Sequence, residues 1–186
     1  MTILLIRDTT TTAPYPSCRL SDVHQLDDIQ FWGGVSLKGK FPKLTVFAED
    51  SADSPSGLTD FFGTIHLNFV SKRLKDVLLK ANAEVEFFAT EVIYNGNPSS
   101  EAFYAINSLH RIKALDLANS DVEIDDELGD VLVARKIQLE ESRVEKYNWL
   151  IVDEINRIAV SKHVVREIQH SGCSGCSFID SSTLRY

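Results

Sequence analysis

A short phrase occurs twice in this chain, as Val70-Ser71-Lys72 and again as Val160-Ser161-Lys162, and it constrains the fold more than any other feature. After each copy the apolar residues fall at helical spacing: Leu74, Val77 and Leu78 in the first, Val164, Val165 and Ile168 in the second. An aromatic strand start follows each helix, Val85-Glu86-Phe87 in one case and Cys176-Ser177-Phe178 in the other. Ser71 and Ser161 close the apolar runs Leu67 to Val70 and Ile158 to Val160, where a hydroxyl accepts from the free amides of a first helical turn. The order strand, serine cap, helix, strand therefore repeats, with Cys176 in the place of Val85. The repeat describes a scaffold and carries no chemistry of its own.

With 186 residues, 44% of them hydrophobic and 25% charged, the chain can bury a core as one domain or as a small amino-terminal part packed on a larger one. Met1 to Ile6 is too short an apolar run for a signal peptide and is followed by Arg7 and Asp8. No run reaches membrane-spanning length, so a cytoplasmic protein with no membrane partner is expected. Cys18, Cys173 and Cys176 make an odd count, which fits a reducing compartment and no disulfide framework.

The amino-terminal residues 1–57 read as a small β-rich lobe. Strands are expected at Ile3 to Ile6 and Lys43 to Ala48, around a threonine run (Thr9 to Thr12), Pro14, Pro16 and the turn-rich Phe31-Trp32-Gly33-Gly34-Val35. The polar loop Glu49 to Gly57 marks a boundary, and residues 58–186 form the repeat-bearing body. There, Glu86 to Tyr94 leads into Asn95-Gly96, a tight hairpin signal, with Phe103 to Ile106 returning. Leu109 to Leu117 has no clear period. Val122 and Ile124 alternate with acids as in an edge strand, Val131 to Leu139 reads as another strand, and Lys146 to Val152 leads to the second copy. The expected class is α+β, with a mixed, largely antiparallel sheet and two equivalent Ser-capped helices.

Net charge is −8, from 27 acidic and 19 basic side chains. The excess concentrates in Asp121, Glu123, Asp125, Asp126, Glu127 and Asp130, a stretch without a basic residue. Acidity argues against nucleic acid as a partner, because phosphates need Lys and Arg, and permits attraction to a basic protein. A solvated edge that aids solubility is the plain alternative. The run is a poor calcium loop, since Asp126 stands where a sharp turn needs glycine.

Catalytic signatures are sparse. Cys173 and Cys176 have the Cys-x-x-Cys spacing of zinc and redox sites. His163 and His170 are the nearest further ligands, but both fall on or at the end of the expected second helix. Core packing and a helix-ending turn with Gly172 and Gly175 is the simpler use of the pair. Adjacent carboxylates at Asp153-Glu154 and Glu140-Glu141 point in different directions on helix or strand. No Gly-x-Ser-x-Gly, glycine-rich phosphate loop or His-Glu-x-x-His occurs. His24, His66 and His110 are scattered, and Trp32 and Trp149 read as core aromatics before interface anchors. No catalytic residue, metal or cofactor is expected, and a binding role is favoured over an enzyme.

Several segments taken in order carry a resemblance. They are Trp32-Gly33-Gly34 with Gly39 and Pro42, Leu58-Thr59-Asp60-Phe61, Phe69-Val70-Ser71-Lys72-Arg73-Leu74, Val85-Glu86-Phe87-Phe88, Tyr104-Ala105-Ile106-Asn107, Ala114-Leu115-Asp116-Leu117, the second Val160-Ser161, and Gly175-Cys176-Ser177-Phe178-Ile179. From Phe31 to Asp180 the chain resembles the polymorphic-toxin immunity protein family eleven. It departs from that pattern at Cys173 and Cys176, where aliphatic residues are usual, and at Asn82 to Glu84, where a glycine-bearing turn is usual. The resemblance implies a non-enzymatic antitoxin that binds a cognate toxin domain delivered between neighbouring bacterial cells. If that toxin is a nuclease its cleft is basic, and Asp121, Glu123, Asp125, Asp126, Glu127 and Asp130 are the expected partner-binding residues, standing in for phosphates. The alternatives are a small zinc- or thiol-dependent protein using Cys173 and Cys176, and a general protein-binding adaptor.

Overall fold

The computed structural model describes residues 3–7, 16–21, 33–50, 57–64, 66–125, 127 and 131–185. The threonine run, Pro14, Trp32 and residues 51–56 of the polar loop lie outside the described residues. In chain order the elements are β1 (Ile3–Arg7), β2 (Ser17–Leu20), β3 (Thr45–Glu49), β4 (Phe61–Gly63), β5 (Asn68–Ser71), α1 (Lys72–Lys80), β6 (Val85–Tyr94), β7 (Asn97–Pro98), β8 (Phe103–Ser108) and β9 (Arg111–Ile112). They continue with β10 (Asp121–Ile124), β11 (Val131–Lys136), α2 (Glu141–Val144), β12 (Trp149–Val152), β13 (Arg157–Val160), α3 (Lys162–Ser171) and β14 (Cys176–Asp180). One sheet runs β14-β1-β13-β12-β9 and a second runs β2-β3-β6-β8-β5-β4, with β7 on β6; β10 and β11 form a separate ribbon. The class is α+β with largely antiparallel pairing, as expected from the sequence.

Both serine caps form. Ser71 and Ser161 are extended, and their hydroxyls accept from Leu74 N at 3.1 Å and Val164 N at 3.3 Å. The apolar stripes that follow, Leu74 and Leu78 on α1 and Val164, Val165 and Ile168 on α3, are buried in one shared cluster. The two helices lie side by side, and Lys80 on α1 donates to Glu167 on α3 at 2.8 Å. Gly172 ends α3 with a φ of +66°. After α1 the left-handed position falls to Asn82, at φ +53°, and asparagine tolerates that region better than other non-glycine residues. This accounts for a turn there without glycine.

The duplication is larger than the repeated phrase. Each unit has four elements, β4-β5-α1-β6 in the first and β12-β13-α3-β14 in the second. Phe61 pairs with Val70 in one and Trp149 with Val160 in the other, which makes Phe61 and Trp149 equivalent. In each unit an antiparallel strand sits between the strands flanking the helix. In the first it is β8, which follows β6 in the chain; in the second it is β1, from the start of the chain. Val70, Tyr104 and Ala89 lie in one row across the first unit, and Val160, Ile3 and Asp180 in the matching row of the second. Counting back along β6 and β14 places Cys176 on Val85, the match expected from sequence.

The Asn95-Gly96 hairpin is present, with both residues at positive φ (48° and 79°), the geometry of a type I′ turn. Its return is the two-residue β7, after which β8 pairs with β6 from Thr90 to Val85. The segment without a readable period, Leu109 to Leu117, holds the short β9, parallel to β12, and a bridge from Leu115 to Leu139. It is fixed from outside itself: the Glu154 carboxylate accepts from Ala114 N at 3.2 Å and Leu115 N at 3.1 Å. Residues 33–44 are anchored similarly on buried Glu86, which accepts from Ser36 Oγ at 2.5 Å, Leu37 N at 2.8 Å and Asn107 Nδ2 at 3.1 Å. Burial alone would raise the Glu86 carboxyl, but these donors outweigh it and lower its pKa.

Candidate functional site

The described part of the acidic run, Asp121, Glu123, Asp125 and Glu127, lies along β10 and just beyond its end. Along β10 exposure alternates: Val122 and Ile124 are half-buried against a core cluster containing Val131 and Ala134, while Asp121 and Glu123 are exposed. The alternation puts apolar residues inward and carboxylates outward, as strand geometry requires. Two register shifts interrupt the ribbon. Glu123 faces Val133 and Ile124 faces Val131, leaving Leu132 unmatched; Asp121 faces Lys136 and Val122 faces Ala134, leaving Arg135 unmatched. Such bulges re-aim side chains, and here they turn Leu132 out to 59% exposure and aim Arg135 at the carboxylates.

Arg135 bridges the outward face. Its Nη1 lies 3.3 Å from Asp121 Oδ1, and its Nη2 donates to Glu123 Oε1. Just beyond β10, half-buried Asp125 accepts from Glu127 N at 2.9 Å, and Glu127 is exposed. Asp126 and Asp130 lie outside the described residues. Of the six acids singled out in the sequence, the structure thus gathers Asp121, Glu123, Asp125 and Glu127 on one ribbon, and it adds a cation that strand alternation does not predict. Residues 121–136 hold six carboxylates against Arg135 and Lys136, half of the chain's net −8.

A second charged cluster was not singled out from sequence. Asp60, 7% exposed, accepts from Ser71 Oγ at 2.6 Å, Arg73 Nε at 3.1 Å, Ser174 N at 2.7 Å and Ser174 Oγ at 2.9 Å. Burial pushes its carboxyl up, but the Arg73, Ser71 and Ser174 donors more than reverse this and hold it at about 2. In the second unit the neutral Asn148 takes the place of Asp60: it accepts from Ser161 Oγ at 2.8 Å, while the Glu84 carboxylate takes the Asn148 and Trp149 N–H groups, each at 3.0 Å. Each unit's serine cap is therefore tied to a loop of the other unit. With every lone pair directed at a cap, a guanidinium or a loop, Asp60 is built to hold structure.

Cys173 and Cys176 are half-buried and pack against the helical core cluster. Ser171 Oγ donates to the Cys173 sulfur at 3.0 Å, and burial pushes that thiol's pKa up, which disfavours the thiolate that redox or metal chemistry uses. Among the described residues no three His, Cys, Asp or Glu side chains converge as a metal-binding group. Trp149 is a core aromatic at 1% exposure. A groove of about 360 Å³ opens beside the start of α3, lined by Val144, Tyr147, Leu150, Ala159, Ser161 and His163. No helix among the described residues is long and apolar enough to cross a membrane.

Comparison with known proteins supplies what the geometry does not. The family model described as Immunity protein family (Imm11) matches residues 16–183 of the chain. No curated protein matches it.

Proposed function

We propose that this chain, which belongs to the Imm11 immunity protein family, neutralises a cognate toxin domain through the outward face and tip of the β10–β11 ribbon. An immunity protein acts by binding, and the family match over residues 16–183 is the observation that carries this role. The choice of surface rests on charge. A toxin that cleaves nucleic acid needs a basic cleft to hold phosphates, and a two-stranded ribbon with Asp121 and Glu123 on its exposed face and Asp125 and Glu127 just beyond β10 offers carboxylates. Such a surface steers encounter as well as filling the cleft, because complementary fields raise association rates well above the neutral case. Binding takes place in the cytoplasm, where a delivered nuclease meets its substrate, and the protein carries out no reaction of its own.

Co-expression with the carboxy-terminal toxin domain encoded by the neighbouring gene tests the reading. Cells survive and the pair co-purifies if the chain is its antitoxin. Death without a complex rejects that pairing, and survival with a complex unaffected by neutral ribbon variants rejects the ribbon as the contact.

A further inference from the structure

We infer that a single ordered water molecule is bound between Asn68 of β5 and Trp149 of β12, joining the two sheets. A cavity of about 10 Å³ lies there, between Leu67 of the β4–β5 turn and Ile106 of β8 on one side and Ile151 and Ile158 of the other sheet, with Asn68 and Trp149 in its lining. All of these residues are buried, Asn68 at 9% exposure and Trp149 at 1%. The volume is that of one water. Asn107 and Ser108 also line the cavity, but Asn107 Nδ2 already donates to Val35 O and to Glu86, and Ser108 Oγ to His110 O. The Asn68 amide and the Trp149 indole N–H have no hydrogen-bond partner among the described residues. Buried polar groups are almost always satisfied. An indole N–H can only donate, whereas an amide both donates and accepts. A water that accepts from Trp149 Nε1 and bonds to the Asn68 amide satisfies both.

The duplication supports the pairing. Asn68 is equivalent to Ile158, two residues before Val70 and Val160 respectively, and Trp149 is equivalent to Phe61. The symmetry-related counterpart of the Asn68 and Trp149 pair is therefore Ile158 and Phe61, in which neither side chain has a polar atom. Polar side chains stand at both positions of one pair and at neither position of the other, as expected if the water needs both groups. This inference is independent of the toxin-binding role.

The test is the indole resonance of Trp149. Two tryptophans are present, so W149F assigns its Hε1 signal by loss. A cross-relaxation peak between Trp149 Hε1 and a long-lived water is expected in the wild type, and it should vanish in N68I. Absence of that peak in the wild type, or its persistence in N68I, overturns the inference. Stability gives a reading that does not depend on either single variant being well behaved: N68I/W149F copies the Ile158 and Phe61 pair and should melt above both single variants. Losses that simply add in the double variant would contradict a shared water.

Discussion

Asp60 and Ser174 are 114 residues apart in sequence, yet the Asp60 carboxylate accepts both the main-chain N–H and the hydroxyl of Ser174, at 2.7 and 2.9 Å. The contact joins the strand that opens the first unit to the loop that follows the helix of the second. A buried anion with these donors and Arg73 is stabilised only while ionised. Its carboxyl titrates at about 2 against 3.8 in the unfolded chain, so its contribution is complete above the unfolded value and is lost as pH falls through the folded one. The difference corresponds to about 2 kcal/mol. Asp60→Asn should lower stability at pH 7 by about that amount or more, and the gap from wild type should close between pH 4 and pH 2. Urea unfolding across that range measures it; a gap that does not depend on pH would contradict the ionised tie.

The serine caps should be unequal. Ser161→Ala removes a capping bond and a hydrogen bond to the neutral, half-buried Asn148 and costs about 1 kcal/mol. Ser71→Ala removes the matching capping bond and a donor to the buried, ionised Asp60, raising the cost to about 2–3 kcal/mol. Chemical denaturation at neutral pH ranks them, and equal losses would mean that the charge on Asp60 adds nothing to its bond with Ser71.

Gly175 and Gly96 both have positive φ, +82° and +79°, but differ in their surroundings. A Cβ on Gly175 would lie 2.2 Å from Phe61 O, whereas one on Gly96 meets nothing within 4 Å. Gly96→Ala should cost about 1 kcal/mol from backbone strain alone, and Gly175→Ala about 3 kcal/mol or more because the Asp60 to Ser174 junction must move as well. Thermal melts of the pair decide this, and similar melting points would refute the junction's rigidity.

How much of this was legible in sequence depended on range. The two helices and their caps were readable because a serine and a 3.6-residue stripe are local signals, and the match of Cys176 to Val85 followed from their alignment. The ribbon's outward carboxylates followed from alternation in β10. The matching of β4 with β12 was not readable: Asp60-Phe61 and Asn148-Trp149 share a pairing pattern and a role, but not identity. Nor was the placement of β1 between β13 and β14, since pairing across most of the chain leaves no local trace. Arg135 was hidden by its bulge, an irregularity of register that alternation cannot foresee, and the Asp60 cluster by donors scattered from Ser71 to Ser174.

Arg135 screens the ribbon. Arg135→Gln should leave stability essentially unchanged, because its ion pairs with Asp121 and Glu123 are exposed. It should speed association with a basic toxin at low salt, since one opposing charge is removed. Stopped-flow binding to the isolated toxin domain reads this, and slower association would show that Arg135 itself contacts the partner.

The most direct measurement is the association rate of the toxin domain with wild-type protein and with Asp125→Asn/Asp126→Asn/Glu127→Gln, followed as salt is raised. A contact through the acidic tip predicts slower association in the triple variant at low salt and a flatter salt dependence, with the two proteins converging once the Debye length falls to about 3 Å at 1 M. Identical rates and identical salt slopes would contradict the account and place the toxin on another face.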